Sequence, residues 1–242
     1  MRITRLSEGD GSGPELVCLP GAMCPPQVFE RAAHLSGLAA IGLGWLEDEG
    51  GHDLESIAAR VRSAIVGLPS VILVGHSLGT PIAMLVALQE ARAGSTRVQG
   101  LVLANSGANT RGHGDSAKLV ERIRHDWSEA FWEAFIARCF RTLPAGPLLD
   151  ELRAYPQRLD RYAVIEAILS QQTMDFAPML QALPRVPTAI VHGQHDPART
   201  LAHAHEMVSG IAGATLHVMD TGHTSCAEDP VGFARILQAV AH

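Results

Sequence analysis

The pentapeptide Gly-x-Ser-x-Gly at residues 75–79 constrains the fold of this chain more than any other feature. A β-branched apolar run enters it and a long apolar segment leaves it, which predicts a strand, a sharp turn and a helix. Gly75 and Gly79 suit a turn too tight for a Cβ atom, and Ser77 is expected to adopt a strained conformation that exposes its Oγ. With 23 glycines in 242 residues, the pentapeptide would arise by chance in roughly one such chain in ten, so the flanking segments carry the inference.

Length and composition exclude several classes of protein. A chain of 242 residues suffices for one α/β domain with a small insertion. With 47% hydrophobic and 18% charged residues, it resembles neither disordered nor membrane proteins. The net charge of −6 gives no nucleic-acid signature, and no segment approaches the roughly 20 apolar residues of a membrane span. We therefore expect a soluble cytoplasmic protein with no nucleic-acid or membrane partner.

Cysteine usage agrees with a reducing compartment. The four cysteines, Cys18, Cys24, Cys139 and Cys226, are far apart and form no C-x-x-C pair. This pattern favours reduced thiols over a disulfide framework or a zinc site. We expect Cys18, which lies in an apolar run, to be buried and inert.

Strands and helices are predicted to alternate along most of the chain. Short apolar runs predict strands at residues 16–19, 39–43, 71–74, 98–104, 188–192 and 214–219. Apolar residues spaced three and four apart, with other helix signals, predict helices at residues 53–66, 78–93 and 201–208 and from Pro230 onward. Asp53 is the expected N-cap of the first of these helices. The alternation predicts a mostly parallel central sheet flanked by helices, with a ligand crevice beyond the carboxyl ends of its strands.

Residues 107–173 interrupt this alternation. Their pattern is helical, and they hold most of the aromatic residues of the chain, including Trp127 and Trp132. We predict that they form a small helical cap over the crevice, while residues 1–106 and 174–242 form the core. The glycine-rich residues 107–114 resemble a hinge. The alternative is a helical extension of the core.

Two further loops supply partners for Ser77. A serine hydroxyl is a poor nucleophile unless a base accepts its proton and a third group orients that base. Asp196 follows the predicted strand at 188–192, and His223 follows the one at 214–219, so both should lie at the same sheet edge as Ser77. We predict that Ser77 attacks a carbonyl, His223 is the general base and Asp196 orients it.

Three alternatives to this assignment stay open. Ser77 could be a structural serine in a relative that only binds a ligand. Asp196 could cap its own turn, since Asp before Pro197 favours a turn. His223 could be an ordinary surface histidine.

An attack on a carbonyl also needs hydrogen-bond donors for the oxygen that becomes negative. The residue after the nucleophile, Leu78, should supply one backbone N–H. The loop after the strand at 16–19 should supply the other, and we prefer Ala22 to Met23. Candidate pocket residues are Met23, His76, Trp127 and Trp132, although the tryptophans also suit a cap core.

Other charged and metal-binding residue types give no separate site. His192, His195, His203 and His205 lie in one region without a recognisable ligand spacing, so no metal or other cofactor is expected. The acidic residues 47–49 fit a solvated loop. The predicted cap also offers arginines that could bind a substrate carboxylate or lie on solvated helix faces; these are Arg111, Arg138 and Arg141.

Three segments together resemble the landmarks of the α/β-hydrolase superfamily across nearly the whole chain. They are Gly-His-Ser-Leu-Gly at 75–79, Gly-Gln-His-Asp at 193–196 and Gly-His-Thr-Ser-Cys-Ala-Glu-Asp-Pro at 222–230. Residues 101–108, which lead into a short cap, resemble those of 3-oxoadipate enol-lactonase-like hydrolases and related small esterases. The chain departs from the superfamily pattern in having Pro20 before the oxyanion glycine, Thr80 after the serine turn, and an unusual loop at 44–50.

The resemblance implies an α/β-hydrolase fold and a serine hydrolase that needs no cofactor. Such an enzyme would cleave a carboxylic ester or lactone of a small, fairly apolar molecule through an acyl-enzyme intermediate. Alternatives with the same three residues are hydrolysis of a carbon–carbon bond in a β-diketone, thioester hydrolysis and cofactor-free perhydrolysis. A ligand receptor of the same fold without turnover is the alternative from another class.

Overall fold

The computed structural model describes residues 1–11, 13–112 and 116–242. In these residues a seven-stranded sheet forms the central layer. Its strands are β1 Arg2–Ser7, β2 Glu15–Leu19, β3 Ala40–Gly44, β4 Val71–His76, β5 Val98–Ala104, β6 Thr188–Gly193 and β7 Thr215–Met219. Their order across the sheet is β1-β3-β2-β4-β5-β6-β7, and every neighbouring pair is parallel except β1 with β3. The prediction of a mostly parallel sheet is confirmed.

Helices cover both faces of the sheet. The helices in the described residues are α1 Glu30–Ser36, α2 Leu54–Ala64, α3 Gly79–Arg92, α4 Ser116–His125, α5 Glu129–Cys139, α6 Pro147–Ala154, α7 Arg161–Thr173, α8 Leu201–Gly210, α9 Ser225–Glu228 and α10 Pro230–Ala241. Leu73 of β4 joins the core formed with α2, α3 and α8, while Ile72 and Val74 face α1 and α10. Because successive side chains of a strand point to opposite faces, a strand covered on both sides is an unbroken apolar run.

Two helices begin at the residues that the sequence predicted. The Asp53 carboxylate accepts a hydrogen bond from the Ser56 N–H at 2.9 Å, which caps α2. Pro230 occupies the first turn of α10, where a missing N–H removes no helical hydrogen bond.

The antiparallel edge strand β1 was not predicted from the sequence. Its Ile3 side chain is 52% exposed, and of its six residues only Leu6 and Ser7 are buried. An edge strand pairs on one side only and needs little apolar surface, so its sequence shows no distinct alternation. Main-chain pairing with β3 holds it in the sheet, and ion pairs link Arg2 to Glu47 and Arg5 to Glu15.

The strand order defines where a ligand can bind. After β2 the chain crosses to β3 on one side and then returns to β4 on the other. The connection after β2 therefore leaves toward β3, and the connection after β4 leaves the other way, toward β5. Such a reversal opens a crevice outside the carboxyl ends of β2 and β4. The loop that begins at Pro20 and the turn at Ser77 both start from these ends.

Four helices, α4 to α7, connect β5 to β6 and form the segment expected to be a cap. Ser128 caps α5 and Asp160 caps α7, each accepting a hydrogen bond from a main-chain N–H. The division into core and cap stays a prediction. The proposed hinge at residues 107–114 lies partly outside the described residues. None of the helices in the described ranges has the combined length and apolar character needed to cross a membrane.

Candidate active site

The turn after β4 has the backbone strain expected of it. Ser77 has a φ of 52°, in the left-handed region that non-glycine residues rarely adopt. A Cβ at Gly75 would lie 2.6 Å from the Gly79 carbonyl oxygen, and one at Gly79 would lie 1.9 Å from the carbonyl oxygen of Leu19 in β2. Only glycine fits at either position, so the two glycines permit the close packing that exposes the serine hydroxyl.

Thr80, where a third glycine is common, fills a defined place. Its Oγ1 lies 3.0 Å from the Gly75 carbonyl oxygen and 3.2 Å from that of Ala104. The hydroxyl therefore ties the first turn of α3 to the ends of β4 and β5. The departure from the superfamily pattern strengthens the turn.

Ser77, His223 and Asp196 form a continuous chain of hydrogen bonds. The Nε2 atom of His223 lies 2.9 Å from Ser77 Oγ, and its Nδ1 lies 2.8 Å from Asp196 Oδ2. A carboxylate only accepts hydrogen bonds, so Nδ1 carries the proton and Nε2 is left to accept one from the hydroxyl. Asp220 is excluded as the orienting acid, since it binds Arg141 and His195.

The Asp196 carboxylate is buried but fully surrounded by donors. Burial would raise its pKa, but the neighbouring His223 and main-chain hydrogen bonds outweigh it, so the pKa lies below its ordinary value. Oδ1 accepts from the N–H groups of Ala198 at 2.7 Å and Arg199 at 3.0 Å. The Asn105 Nδ2 donates to Oδ2 at 3.2 Å. The carboxylate therefore stays ionised beside His223.

Asn105 was not identified from the sequence as part of the site. It follows β5 directly, at the same sheet edge as Ser77, and this position was the available signal. Its φ of 52° is left-handed, and its Nδ2 also lies 3.2 Å from the Gly222 carbonyl oxygen. Asn105 thus links the Asp196 turn to the loop that carries His223, which makes it a positioning residue.

His76 supports the site without serving as a second base. Its Nε2 donates to the main-chain carbonyl of His223 at 2.8 Å. Burial, and next the charge of His223, lower the pKa of His76 to about 3. A ring that weakly basic stays neutral at physiological pH. Its described contact holds the backbone of His223 in place.

The buried His76 should make the folded protein less stable in mild acid. The unfolded state would bind a proton at a pKa of about 6.5, whereas the folded state binds it only near 3. The contribution of His76 to the free energy of unfolding is therefore fully present above about pH 6.5 and is lost as the pH drops toward 3. In His76→Gln the side-chain amide can still donate to the carbonyl. When the pH is lowered from 7.5 to 5, we expect the free energy of unfolding of this variant to fall by about 2 kcal/mol less than that of the wild type.

Urea unfolding at the two pH values measures this difference. His34→Gln is the matched control, because His34 is exposed on α1 and should change the pH dependence little. Equal pH slopes for the wild type and His76→Gln would contradict the prediction.

The expected oxyanion donors lie on either side of Ser77. Leu78 stands at the N-terminus of α3, where main-chain N–H groups lack helical partners. In the loop after β2, the Cys24 N–H donates to the Gly21 carbonyl at 3.3 Å, closing a turn around Ala22 and Met23. Within the described residues, no hydrogen bond occupies the N–H groups of Ala22 and Leu78. Their role as donors to a substrate oxygen stays a prediction.

A cavity of about 180 Å³ opens above the serine. The loops after β2 and β4 and the loop of His223 form its floor, and α4, α5 and α7 contribute Leu119, Phe135 and Ile168. Met23 and His76, two of the candidate pocket residues, line this cavity, and their contact with a substrate stays a prediction. The volume is comparable to that of an engineered apolar cavity of about 150 Å³ that binds benzene, so a small organic group fits.

Trp127 and Trp132, the other two candidate pocket residues, lie elsewhere. Neither is among the described residues that line the cavity. Their rings meet edge to face with centroids 5.6 Å apart, and both pack against the core that contains Phe131. Packing takes precedence because a large aromatic surface is most stable where it is covered on several sides.

Two thiols line the cavity but do not compete with Ser77. Burial raises the pKa of the Cys139 thiol to about 12 and that of Cys24 well above its ordinary value. The nucleophilic form of cysteine is the thiolate, so both side chains are inert at neutral pH. Cys18 is fully buried, as predicted, and all four cysteines are free.

The charged residues considered in the sequence take different positions. Arg111 pairs with Asp175 at 2.6 Å and Arg141 pairs with Asp220, whereas Arg138 lines the cavity. The acidic run at 47–49 is only partly a solvated loop, because the side chains of Glu47 and Asp48 are 11% and 13% exposed. Asp48 lies 2.6 Å from the N-terminal amine, which explains its burial.

Arg199 also lines the cavity, and no motif in the sequence had marked it. The histidines of this region form no metal site: within residues 1–11, 13–112 and 116–242, no group of three or more His, Cys, Asp or Glu side chains could hold an ion. Instead, His203 Nε2 donates to the carbonyl of Arg111 at 2.8 Å.

Comparisons with known proteins show what this chain is similar to. A model of the alpha/beta hydrolase family matches residues 16–236. The 3-oxoadipate enol-lactonase 2 of Acinetobacter baylyi is 27% identical over 156 residues, which cover 62% of this chain and about half, 47%, of that protein. An esterase from Exiguobacterium antarcticum superposes with a TM-score of 0.83 at 22% identity, over 98% of this chain and 93% of that one. The enol-lactonase of Burkholderia xenovorans gives 0.83 at 18% identity, over 99% and 95%.

Proposed function

The chain belongs to the alpha/beta hydrolase family, and from that premise we propose that it is a serine hydrolase acting on a carboxylic ester or lactone of a small molecule. The observation that carries the proposal is the hydrogen-bond chain from Ser77 through His223 to Asp196 at the floor of a cavity. Nothing in this chemistry requires a cofactor.

In the first half of the proposed reaction, Ser77 Oγ attacks the carbonyl carbon while its proton passes to His223 Nε2. Asp196 stabilises the resulting imidazolium through the hydrogen bond to Nδ1. The carbonyl oxygen becomes an oxyanion and accepts hydrogen bonds from the N–H groups of Ala22 and Leu78. When the carbonyl re-forms, the bond to the alcohol oxygen breaks, and that oxygen takes the proton from His223.

In the second half, water cleaves the acyl-enzyme ester. His223 Nε2 takes a proton from the water as its oxygen attacks the acyl carbon, and the same two N–H groups bind the second oxyanion. The Ser77 oxygen then leaves and recovers its proton from His223. The product is a carboxylic acid, and for a lactone both product groups remain in one molecule.

The size of the cavity supports a small substrate. A volume of about 180 Å³ suits a small acyl or alkyl group next to Ser77. The names of the relatives, an enol-lactonase and an esterase, agree with ester or lactone chemistry.

Covalent labelling with a fluorophosphonate probe tests the nucleophile. We expect the wild type to be labelled and Ser77→Ala not to be, because only a serine activated by a base attacks the probe at a useful rate. Ser225→Ala is the control, since that hydroxyl is buried and bonded to Thr221 at 2.7 Å. A well-folded wild type that resists labelling would favour a ligand receptor instead.

A further inference from the structure

Arg199 is a buried cation for which the described part of the chain supplies no partner. Its side chain is only 7% exposed, and within the described residues its guanidinium makes no hydrogen bond or ion pair. Its Nη1 is fully buried and unsatisfied. Other buried or half-buried charges behave differently: Glu90 meets Arg62 at 2.8 Å, and Asp48 meets Arg60 at 3.3 Å.

An unpaired buried charge is unfavourable for folding. Burial lowers the pKa of Arg199 to about 9 with no carboxylate to oppose it, yet the group remains a cation at neutral pH. Such groups lose hydration without regaining it from protein partners. A guanidinium placed in this way is ready to pair with an anion that enters from outside.

The position of Arg199 connects this cation to the reaction site. It lines the same cavity as Ser77 and His223, and its main-chain N–H donates to Asp196 Oδ1 at 3.0 Å. The turn that holds Asp196 therefore also presents the guanidinium.

The rest of the cavity lining suits an anion with an apolar body. The other charged lining group is Arg138, which is exposed at α5, and no aspartate or glutamate lines the cavity within the described part of the chain. Most of the remaining lining is apolar, including Leu119, Phe135 and Ile168. An occupant with an apolar body and one anionic end fits this distribution.

We propose that Arg199 binds a carboxylate of the substrate, so that the enzyme prefers esters or lactones that carry a second, ionised carboxyl group. This inference rests on the proposed function and refines its substrate class. Arg and carboxylate can form two parallel hydrogen bonds, which would also orient the scissile carbonyl toward Ser77. Arg138 at the rim would attract the same anion.

Matched substrate pairs test the proposal. Monoethyl glutarate against its neutral isostere ethyl 4-carbamoylbutanoate places the charge on the acyl side. 4-Acetoxybenzoate against 4-acetoxybenzamide places it on the leaving group. We expect the wild type to prefer the anionic member of at least one pair, and Arg199→Met to reduce that preference in kcat/KM by roughly 10- to 100-fold. The kcat/KM for the neutral member, measured with each protein, is the reference for this preference.

Two further variants separate binding from general damage. Arg199→Lys should keep part of the preference, since it retains the charge but not the planar fork. Arg235→Met, which removes an exposed arginine of α10 outside the cavity, should change nothing. Because Arg199→Met removes an unpaired buried charge, its unfolding midpoint should equal or exceed that of the wild type. If Arg199 had only a structural role, Arg199→Met would have a lower unfolding midpoint than the wild type.

A binding measurement makes the result independent of turnover. Glutarate should raise the unfolding temperature of the wild type but not of Arg199→Met. Hydrolysis that depends on Ser77 but shows no anionic preference, or the same preference in Arg199→Met, would overturn the inference and leave the proposed function standing. If no ester is cleaved, the proposed function fails, and an equal response of both proteins to glutarate would reject the carboxylate site as well.

Discussion

Ser77→Ala is expected to lower kcat/KM for a small aryl ester by at least about 10⁴-fold. The variant retains the cavity, His223 and the main-chain donors, so substrate still binds. It lacks the oxygen that forms the acyl-enzyme bond, and a water in its place has neither the position nor the activation of the hydroxyl. Only the acceleration due to binding and the oxyanion donors should remain.

Initial rates with 4-nitrophenyl acetate, corrected for spontaneous hydrolysis, measure this loss. Ser106→Ala is the control at the same sheet edge. Ser106 is buried, its hydroxyl has no hydrogen-bond partner within the described residues, and it does not line the cavity. Its removal should leave the rate within a few-fold of the wild type. A Ser77→Ala protein that keeps a tenth of the activity would exclude the serine mechanism.

Asp196→Asn is expected to lower kcat by roughly 10⁴-fold while the protein remains folded. The N–H groups of Ala198 and Arg199 are fixed donors, so the asparagine must turn its oxygen toward them and its amide nitrogen toward His223. His223 Nδ1 then has to accept a hydrogen bond, which places the ring proton on Nε2. In that tautomer the ring cannot accept the proton of Ser77.

The surroundings of Asp196 can adapt to this change at some cost in stability. A flip of the Asn105 side chain would bring its unpartnered Oδ1 to the new amide, but it would break the hydrogen bond from Asn105 Nδ2 to the Gly222 carbonyl. Asp220→Asn is the matched control, because Asp220 lies on the loop of His223 but binds Arg141 and His195. Steady-state rates and unfolding curves for both variants decide the matter. Comparable losses in the two would mean that Asp196 does not have the orienting role.

Most elements of the core could be predicted from the sequence, because local pattern determines them. Strands such as β4 are buried on both faces and are therefore continuous apolar runs, and α2 carries its own cap in Asp53. The edge strand β1 escaped prediction because it buries only one end. The positions of Trp127 and Trp132 also escaped, since helical spacing shows that a face is buried but not what covers it.

The residues of the candidate site also fall into those that the sequence could identify and those that it could not. Ser77, Asp196 and His223 were identified because each stands in a short motif after a strand, and the structure brings them within hydrogen-bond distance. Asn105 and Arg199 stand in no motif. Their importance depends on which atoms surround them: Asn105 touches two loops distant in sequence, and Arg199 is buried with no ionic partner in the ranges that the structure describes.

The sequence by itself determined the parallel sheet, the serine turn and the strand ends from which the three polar residues emerge. These follow from hydrophobic periodicity and from glycines that only a close-packed turn requires, and both are local properties of the chain. Only the tertiary structure decided which carboxylate faces His223, which residues of α4 to α7 reach the cavity, and that one guanidinium is buried there with no partner among the described residues. Such relations join residues that are 27 to 146 positions apart in the sequence and depend on burial and distance, which no local pattern encodes.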